Sequence, residues 1–219
     1  MKYQVIPNFE SYQVFVFDLD GLIIDSLDDL SKCLVGAVSN YAKRHELEAF
    51  QKYDIKNPGA SRFTKVDYFL EEITQEKDPN PKRVEILRDF SERSFEVRKS
   101  AKISSGFEKF VTKFQDINHI LLSNCDNSQI AAVLDHHSIS KYFNSGIIGT
   151  PPSKELRAGA IQSEFPDSHI LSLSDSESDA IIARKSNFDF LYVNEFARGC
   201  DPWILENEFR VENFDACIL

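Results

Sequence analysis

Val14-Phe15-Val16-Phe17-Asp18-Leu19-Asp20-Gly21, running on into Leu22-Ile23-Ile24-Asp25-Ser26, is the stretch whose reading decides the fold. A run of Val and Phe without polar interruption reads as a strand buried on both faces, as in a parallel sheet. Asp18 and Asp20 then fall at its carboxyl end, where open α/β sheets place their ligands. Gly21 lets the backbone turn away sharply. Two carboxylates at a buried strand tip are costly on their own, and a divalent cation is their usual partner. The competing reading is a polar strand end that makes only turn hydrogen bonds.

The rest of the chain decides between the two. Ser26-Leu27-Asp28-Asp29 has the form of a capping box, and Leu27, Leu30, Leu34, Val38 and Tyr41 recur at helical spacing. Asn57-Pro58-Gly59-Ala60 reads as a turn, and Phe63, Val66, Leu70 and Ile73 predict a second helix. Asp78-Pro79-Asn80-Pro81 ends it and starts a third, with Asn80 as N-cap and Pro81 at the first helical position. Val84, Leu87, Phe90 and Val97 mark the face of that third helix. Residues 26–105 therefore read as an all-helical insert.

From Gly106 onward helix and strand alternate. The expected strands are His119-Ile120-Leu121-Leu122, Gly146-Ile147-Ile148-Gly149, Ile170-Leu171-Ser172-Leu173 and Phe188 to Val193. Helical patterns lie between them, and such alternation implies right-handed βαβ units around a parallel sheet. The expected organisation is an α/β core domain from 1–25 and 106–219, a doubly wound parallel sheet, with the helical domain 26–105 inserted after its first strand. That insertion point, beside Asp18 and Asp20, is a place for a lid. The tail from Glu195, with Trp203 and Phe214, carries no functional signal and is expected to pack back on the core.

Composition narrows the function. The 219 residues carry a formal net charge of −10, which argues against nucleic acid or an anionic membrane as partner. The start of the chain lacks an apolar signal segment and no run is long enough to span a bilayer. Cys33, Cys125, Cys200 and Cys217 are scattered without a C-x-x-C pair and read as reduced thiols of a cytoplasmic protein. His136-His137 reads as a helix end, since neighbours on a helix do not share a face.

Four strand ends or adjoining loops carry reactive groups: Asp18 with Asp20, Ser123 with Asn124, Lys154, and Asp175 with Asp179. Parallel strands gather them at one edge of the sheet. This set, in this order, resembles the haloacid dehalogenase-like hydrolase superfamily, and the resemblance runs from about Tyr12 to Val193. The first motif, Asp-Leu-Asp-Gly-Leu-Ile-Ile-Asp-Ser, is close to the form seen in the phosphoglycolate-phosphatase and β-phosphoglucomutase-like branch. The resemblance implies a Rossmann-like core with a helical cap.

It also implies roles. Asp18 would be the nucleophile and form an aspartyl-phosphate. Asp20 would protonate the leaving oxygen and then deprotonate water. Mg²⁺ would bind the Asp18 carboxylate, the Asp20 carbonyl and Asp175. Ser123 and the amides after it, Asn124 included, would hold phosphoryl oxygens at a helix start. Lys154 would be a point charge on the phosphate and the nucleophile. Asp179, one turn beyond Asp175, would orient Lys154 or reach a metal-bound water. The family usually has glycine before Asp175, where this chain has Ser174, whose side chain either crowds the loop or adds a hydrogen bond.

Within the insert, Arg62 and Lys65, near Gly59 and Ser61, are candidates for contact with an anionic part of the substrate; a solvated helix face is the plainer reading. The expected function is a Mg²⁺-dependent phosphatase of a small phosphorylated metabolite, a phosphosugar or phosphoacid, with no protein partner implied. A phosphomutase of the same fold is the alternative. Branch members that do this typically carry threonine and histidine just after the first motif, where this chain has Ser26 and Asp28-Asp29. A non-catalytic phosphometabolite-binding module is the third reading, and the intact aspartates weigh against it. No insert lysine is placed for the Schiff-base chemistry of a phosphonatase.

Overall fold

The computed structural model describes residues 6–199, 202, 206 and 208–218. The chain divides into two compact units, residues 1–25 with 101–219, and residues 26–100. Among the described residues no helix is long and apolar enough to cross a membrane.

The first unit begins with β1 (Val14–Phe17), the buried strand, followed after a turn by the two-residue β2 (Ile24–Asp25). Gly21 sits in that turn at φ 85° and donates its N–H to the Ile24 carbonyl at 2.9 Å. Only glycine adopts such a φ without steric cost. The chain returns from the insert as β3 (Lys102–Ile103), which pairs antiparallel with β2, Ile24 against Ile103 and Asp25 against Lys102. The insert therefore ends at Ser100, short of Ser105. The residues after it are held by backbone bonds to the α/β unit rather than by helical packing.

Helix α5 (Phe107–Lys113) leads to β4 (Asn118–Asp126), α6 (Ile130–His136), β5 (Gly146–Thr150), α7 (Lys154–Glu164), β6 (Ile170–Ser174), α8 (Glu177–Lys185), β7 (Asp189–Val193) and β8 (Phe209–Val211). Six strands form one sheet in the order β5-β4-β1-β6-β7-β8, and every neighbouring pair is parallel. β1 lies between β4 and β6, which is why its residues are buried on both faces. β8 lay in the tail that gave no signal. Three residues are too few to show a period. Trp203 and Cys200 lie outside the described residues.

Alternation along β1 sends its side chains to two different cores. Val14 and Val16 join Ala158 and Ile161 of α7, Ala180 and Ala183 of α8, and Phe190 and Tyr192 of β7. Phe15 and Phe17 face an aromatic layer: Phe110 stacks on Phe15 at 5.7 Å and Phe107 meets Phe17 edge-on at 6.1 Å. Burying each such ring contributes about 1.5–3 kcal/mol, and favourable ring pairs add about 0.5–1.5 kcal/mol. His119 of β4 belongs to this layer, stacked on Phe15 at 5.7 Å with its Nδ1 3.1 Å from the Tyr142 carbonyl. Phe214 completes it, 5.2 Å from Phe110 and 5.5 Å from Phe107, so the end of the tail does pack on the core.

The second unit consists of α1 (Leu27–Ser39), α2 (Arg44–Lys56), α3 (Arg62–Tyr68) running into a π-helical turn (Phe69–Ile73), and α4 (Pro79–Ser100). Leu34, Val38, Phe50, Val66, Phe69, Leu70, Ile86 and Phe90 form its core. Helix α2 is absent from the sequence reading because it is mostly polar; of its side chains only Phe50 and Asp54 are buried. α4 starts at Pro79, so Asn80 is inside the helix and does not cap it. Its buried face is Ile86, Phe90, Ser94 and Arg98, an i, i+4 stripe, whereas Val84 is exposed. Ser26 occupies the N-cap place of α1, but its side chain makes no capping bond.

Candidate active site

The carboxyl ends of β1 and β6, with the first turns of α7 and α8, assemble a compact charged group. Phe17 lies opposite Leu173 in the parallel register, so the next residues, Asp18 and Ser174, come side by side at the strand ends. The Asp18 N–H donates to the Leu173 carbonyl at 3.0 Å, which fixes the backbone there. Oδ1 of Asp18 accepts the Leu19 N–H at 2.7 Å and lies 3.0 Å from Lys154 Nζ. Lys154 is the first residue of α7, whose N-cap Ser153 accepts from the Leu156 N–H. Its ammonium donates to Asp179 Oδ2 at 2.8 Å.

Asp179 stands in the first turn of α8. Ser176 caps that helix by accepting the Asp179 N–H at 3.3 Å. Ser176, and not Asp175, is therefore the cap, and the Asp175 carboxyl is left to the charged group. Ser174, the last residue of β6, hydrogen-bonds Asp179 Oδ2 through its Oγ and lies 3.4 Å from Asp18 Oδ2 and 3.5 Å from Asp175 Oδ1. It adds a bond where the family resemblance leads to glycine. The sequence showed that the residue was out of place; only the fold shows which carboxylate it serves.

The electrostatics of the group are unbalanced. Asp175, Asp179 and Lys154 are buried and Asp18 nearly so, its side chain 13% exposed. Three carboxyls thus surround a single ammonium. Burial raises the Asp18 carboxyl well above its ordinary range; Lys154 opposes this, and Asp179, Asp175 and Asp20 add to it. Burial, with Asp179 beside it, pushes Asp175 up to about 7. For Asp179 burial acts the same way, but the Lys154 charge and the bonds from Lys154 and Ser174 outweigh it and hold the carboxyl low. Burial alone would lower Lys154; Asp179 and Asp18 reverse that and raise it.

The remaining predicted residues are placed differently. Asp20 is half-buried, with a backbone bridge to Ile24. Ser123 is buried on β4, and its Oγ accepts the Cys125 N–H at 3.0 Å. No helix starts beside it: β4 continues to Asp126, which pairs with Thr150 after a register shift, and α6 begins only at Ile130. The expected helix-start cradle at Ser123-Asn124 is thus a strand extension. Gly149 permits the close approach of β5 there, since a Cβ would lie 2.6 Å from the Cys125 carbonyl oxygen. In the helical unit, Arg62 lies over the Phe63 ring at 4.5 Å. Lys65 corrects its expectation. It is buried, and its Nζ is 2.7 Å from Asp54, so the charge is spent inside the unit.

Among the described residues no three His, Cys, Asp or Glu side chains are gathered as a preformed metal site. The donor set is nevertheless all oxygen, with more carboxyl groups than cations. Mg²⁺ needs only one or two carboxylates, with water and substrate phosphate supplying the rest.

A family model described as haloacid dehalogenase-like hydrolase matches residues 15–193, a span that takes in every element of this group. The chain belongs to the haloacid dehalogenase-like hydrolases. Solved structures agree on the fold. A β-phosphoglucomutase from Clostridium difficile aligns with TM-score 0.71 and 17% identity, over 93% of this chain and 92% of that one. A predicted phosphoglycolate phosphatase from Haemophilus somnus aligns with TM-score 0.70 and 16% identity, over 94% and 96% of the two chains. CbbY from Rhodobacter sphaeroides, solved in complex with phosphate, aligns with TM-score 0.70 and 13% identity, over 93% and 95%. No curated protein sequence matches the chain significantly. In this hydrolase Lys154 and Asp179 stand on the first turns of α7 and α8, and Asp18 and Asp175 directly follow β1 and Ser174, the last residue of β6.

Proposed function

We propose that this hydrolase is a Mg²⁺-dependent phosphatase of a small phosphorylated metabolite, a phosphosugar or phosphoacid, working through an aspartyl-phosphate. The observation that carries the reading is the Lys154 ammonium, 3.0 Å from Asp18 and 2.8 Å from Asp179 in a buried group with more carboxylates than cations. Such a group is expensive to maintain and suits a site that receives a cation together with an anionic substrate.

Asp18 attacks phosphorus and the phosphate-ester bond breaks; the leaving oxygen takes a proton from Asp20. Asp20 then takes a proton from water as that water attacks the phospho-aspartate, which releases inorganic phosphate and restores Asp18. Asp20 suits the shuttle because it is only half-buried and can exchange its proton with solvent. Lys154 holds the phosphoryl oxygens against Asp18, and Asp179 holds Lys154. Ser123 accepts from Cys125, an arrangement that leaves its own O–H for a phosphoryl oxygen. Asp18, Asp175 and the Asp20 carbonyl would hold Mg²⁺. The ion would offset the repulsion between carboxylate and phosphate and bring Asp18 into its ionised form.

The alignment with phosphatase and phosphomutase structures fits phosphoryl transfer in general. A screen of sugar phosphates, phosphoglycolate and nucleotides with Mg²⁺ tests the reading. Phosphate release that requires Mg²⁺ and disappears in Asp18→Asn supports it; release that persists in the variant overturns the mechanism. A transient bisphosphate with no net phosphate release would instead identify a mutase.

A further inference from the structure

Ser174 is buried at the end of β6, and the reaction just described does not use it. A hydroxyl has one proton to donate, and ionised carboxylates only accept. The contacts to Asp18 Oδ2 at 3.4 Å and Asp175 Oδ1 at 3.5 Å are at the outer limit for a hydrogen bond, whereas the contact to Asp179 is short. The proton therefore goes to Asp179. That carboxylate is the closer of the two that hold Lys154. A small crevice lined in part by Val16, Leu122, Lys154, Ser174 and Asp179 adjoins the pair.

We propose that Ser174 is a positioning residue. It anchors the Asp179 carboxylate, and Asp179 in turn keeps the Lys154 ammonium beside Asp18. Ser174 itself forms and breaks no bond to the substrate. Glycine or alanine at 174 removes the serine donor from Asp179, and the carboxylate holds Lys154 less firmly in place. The inference rests on the phosphatase reading.

The test is a double-mutant cycle on the full chain. Ser174→Ala and Ser174→Gly each lower kcat/KM on the order of tenfold, the size expected for one charge-assisted hydrogen bond, while Ser174→Thr keeps the hydroxyl and stays close to wild type. In an Asp179→Ala background Ser174→Ala changes kcat/KM less than about twofold, because the acceptor it anchors is gone. A structural role would lower stability without this coupling. Full activity in both Ser174→Ala and Ser174→Gly overturns the proposal, and so does an undiminished effect in the Asp179→Ala background. A wild-type chain that hydrolyses no phosphomonoester fails the phosphatase reading instead. Calorimetric titration with inorganic phosphate and Mg²⁺ then decides for Ser174: tighter binding by wild type than by Ser174→Ala supports it, and equal behaviour overturns it.

Discussion

Among the described residues two lysines are buried, one in each unit, and they are paired differently. Lys65 of the helical unit meets one carboxylate, Asp54, at 2.7 Å, and Ser31 hydrogen-bonds the other oxygen of that carboxylate. The charges there are equal and every partner comes from α1, α2 or α3. Lys154 of the α/β unit meets Asp179 and Asp18, with Asp175 and Ser174 adjoining. The first pair is complete by itself and ties three helices together. The second has carboxyl groups left over, which folding alone does not call for. Burial of a charged group is thus no sign of function; imbalance among the buried charges is the better guide.

The comparison can be broken in stages. The largest effect belongs to Asp18→Asn. Loss of the nucleophile should reduce phosphate release by about 10³-fold or more while the melting temperature is kept or raised, since an ionisable group leaves a crowded site. Next is Lys65→Met, which strands Asp54 in an apolar unit. It should cost about 3–5 kcal/mol in denaturant unfolding, and Asp54→Leu added to it should recover most of the loss. No second substitution of that kind should restore activity to Lys154→Met.

Asp175→Asn separates the two groups by sign. Its carboxyl is held at about 7, above its ordinary 3.8, so the folded state binds the extra proton between those values. The metal-free protein therefore gains stability from this group as pH falls from about 7 toward 4, and bears the full cost of ionisation at pH 8. At pH 8 without divalent cations, Asp175→Asn should stabilise by roughly 2 kcal/mol, whereas Asp54→Asn should destabilise. Mg²⁺ should raise the melting temperature of wild type and leave Asp175→Asn nearly unmoved.

The smallest effect is that of His119. Burial lowers its pKa below the ordinary 6.5, so it stays neutral in the fold and the unfolded chain takes the proton first. Its contribution is present above pH 6.5 and is lost as pH falls, opposite in sign to Asp175. Relative to His119→Phe, wild type should lose about 1 kcal/mol per pH unit below 6.5. A wild-type curve parallel to that of the variant would remove His119 from the account.

Much of the α/β unit could be read from the chain because its strands are continuous apolar runs that end in polar residues, as at Phe17-Asp18 and Leu173-Ser174-Asp175. β8 escaped because three residues show no period, and α2 because a helix that buries little has no apolar stripe. Charge pairing was the hardest to foresee. Lys65 and Arg62 look alike in sequence, yet the turn from α2 into α3 carries Lys65 inward to Asp54. The Ser123-Asn124 strand end reads as a helix start until the pairing of Asp126 with Thr150 extends the strand. Ser174 shows the opposite case: one unexpected residue was visible, and its partner, Asp179, became visible only with the turn into α8.

The most direct test of the central claim is to stop turnover of p-nitrophenyl phosphate, in the presence of Mg²⁺, by rapid acid quench and to map phosphorylation by peptide mass spectrometry. The account predicts a transient phosphoryl group on Asp18, within the peptide holding Val14-Phe15-Val16-Phe17-Asp18, that decays as phosphate appears. Phosphate release with the adduct on another residue, or undiminished release from Asp18→Asn, would contradict it.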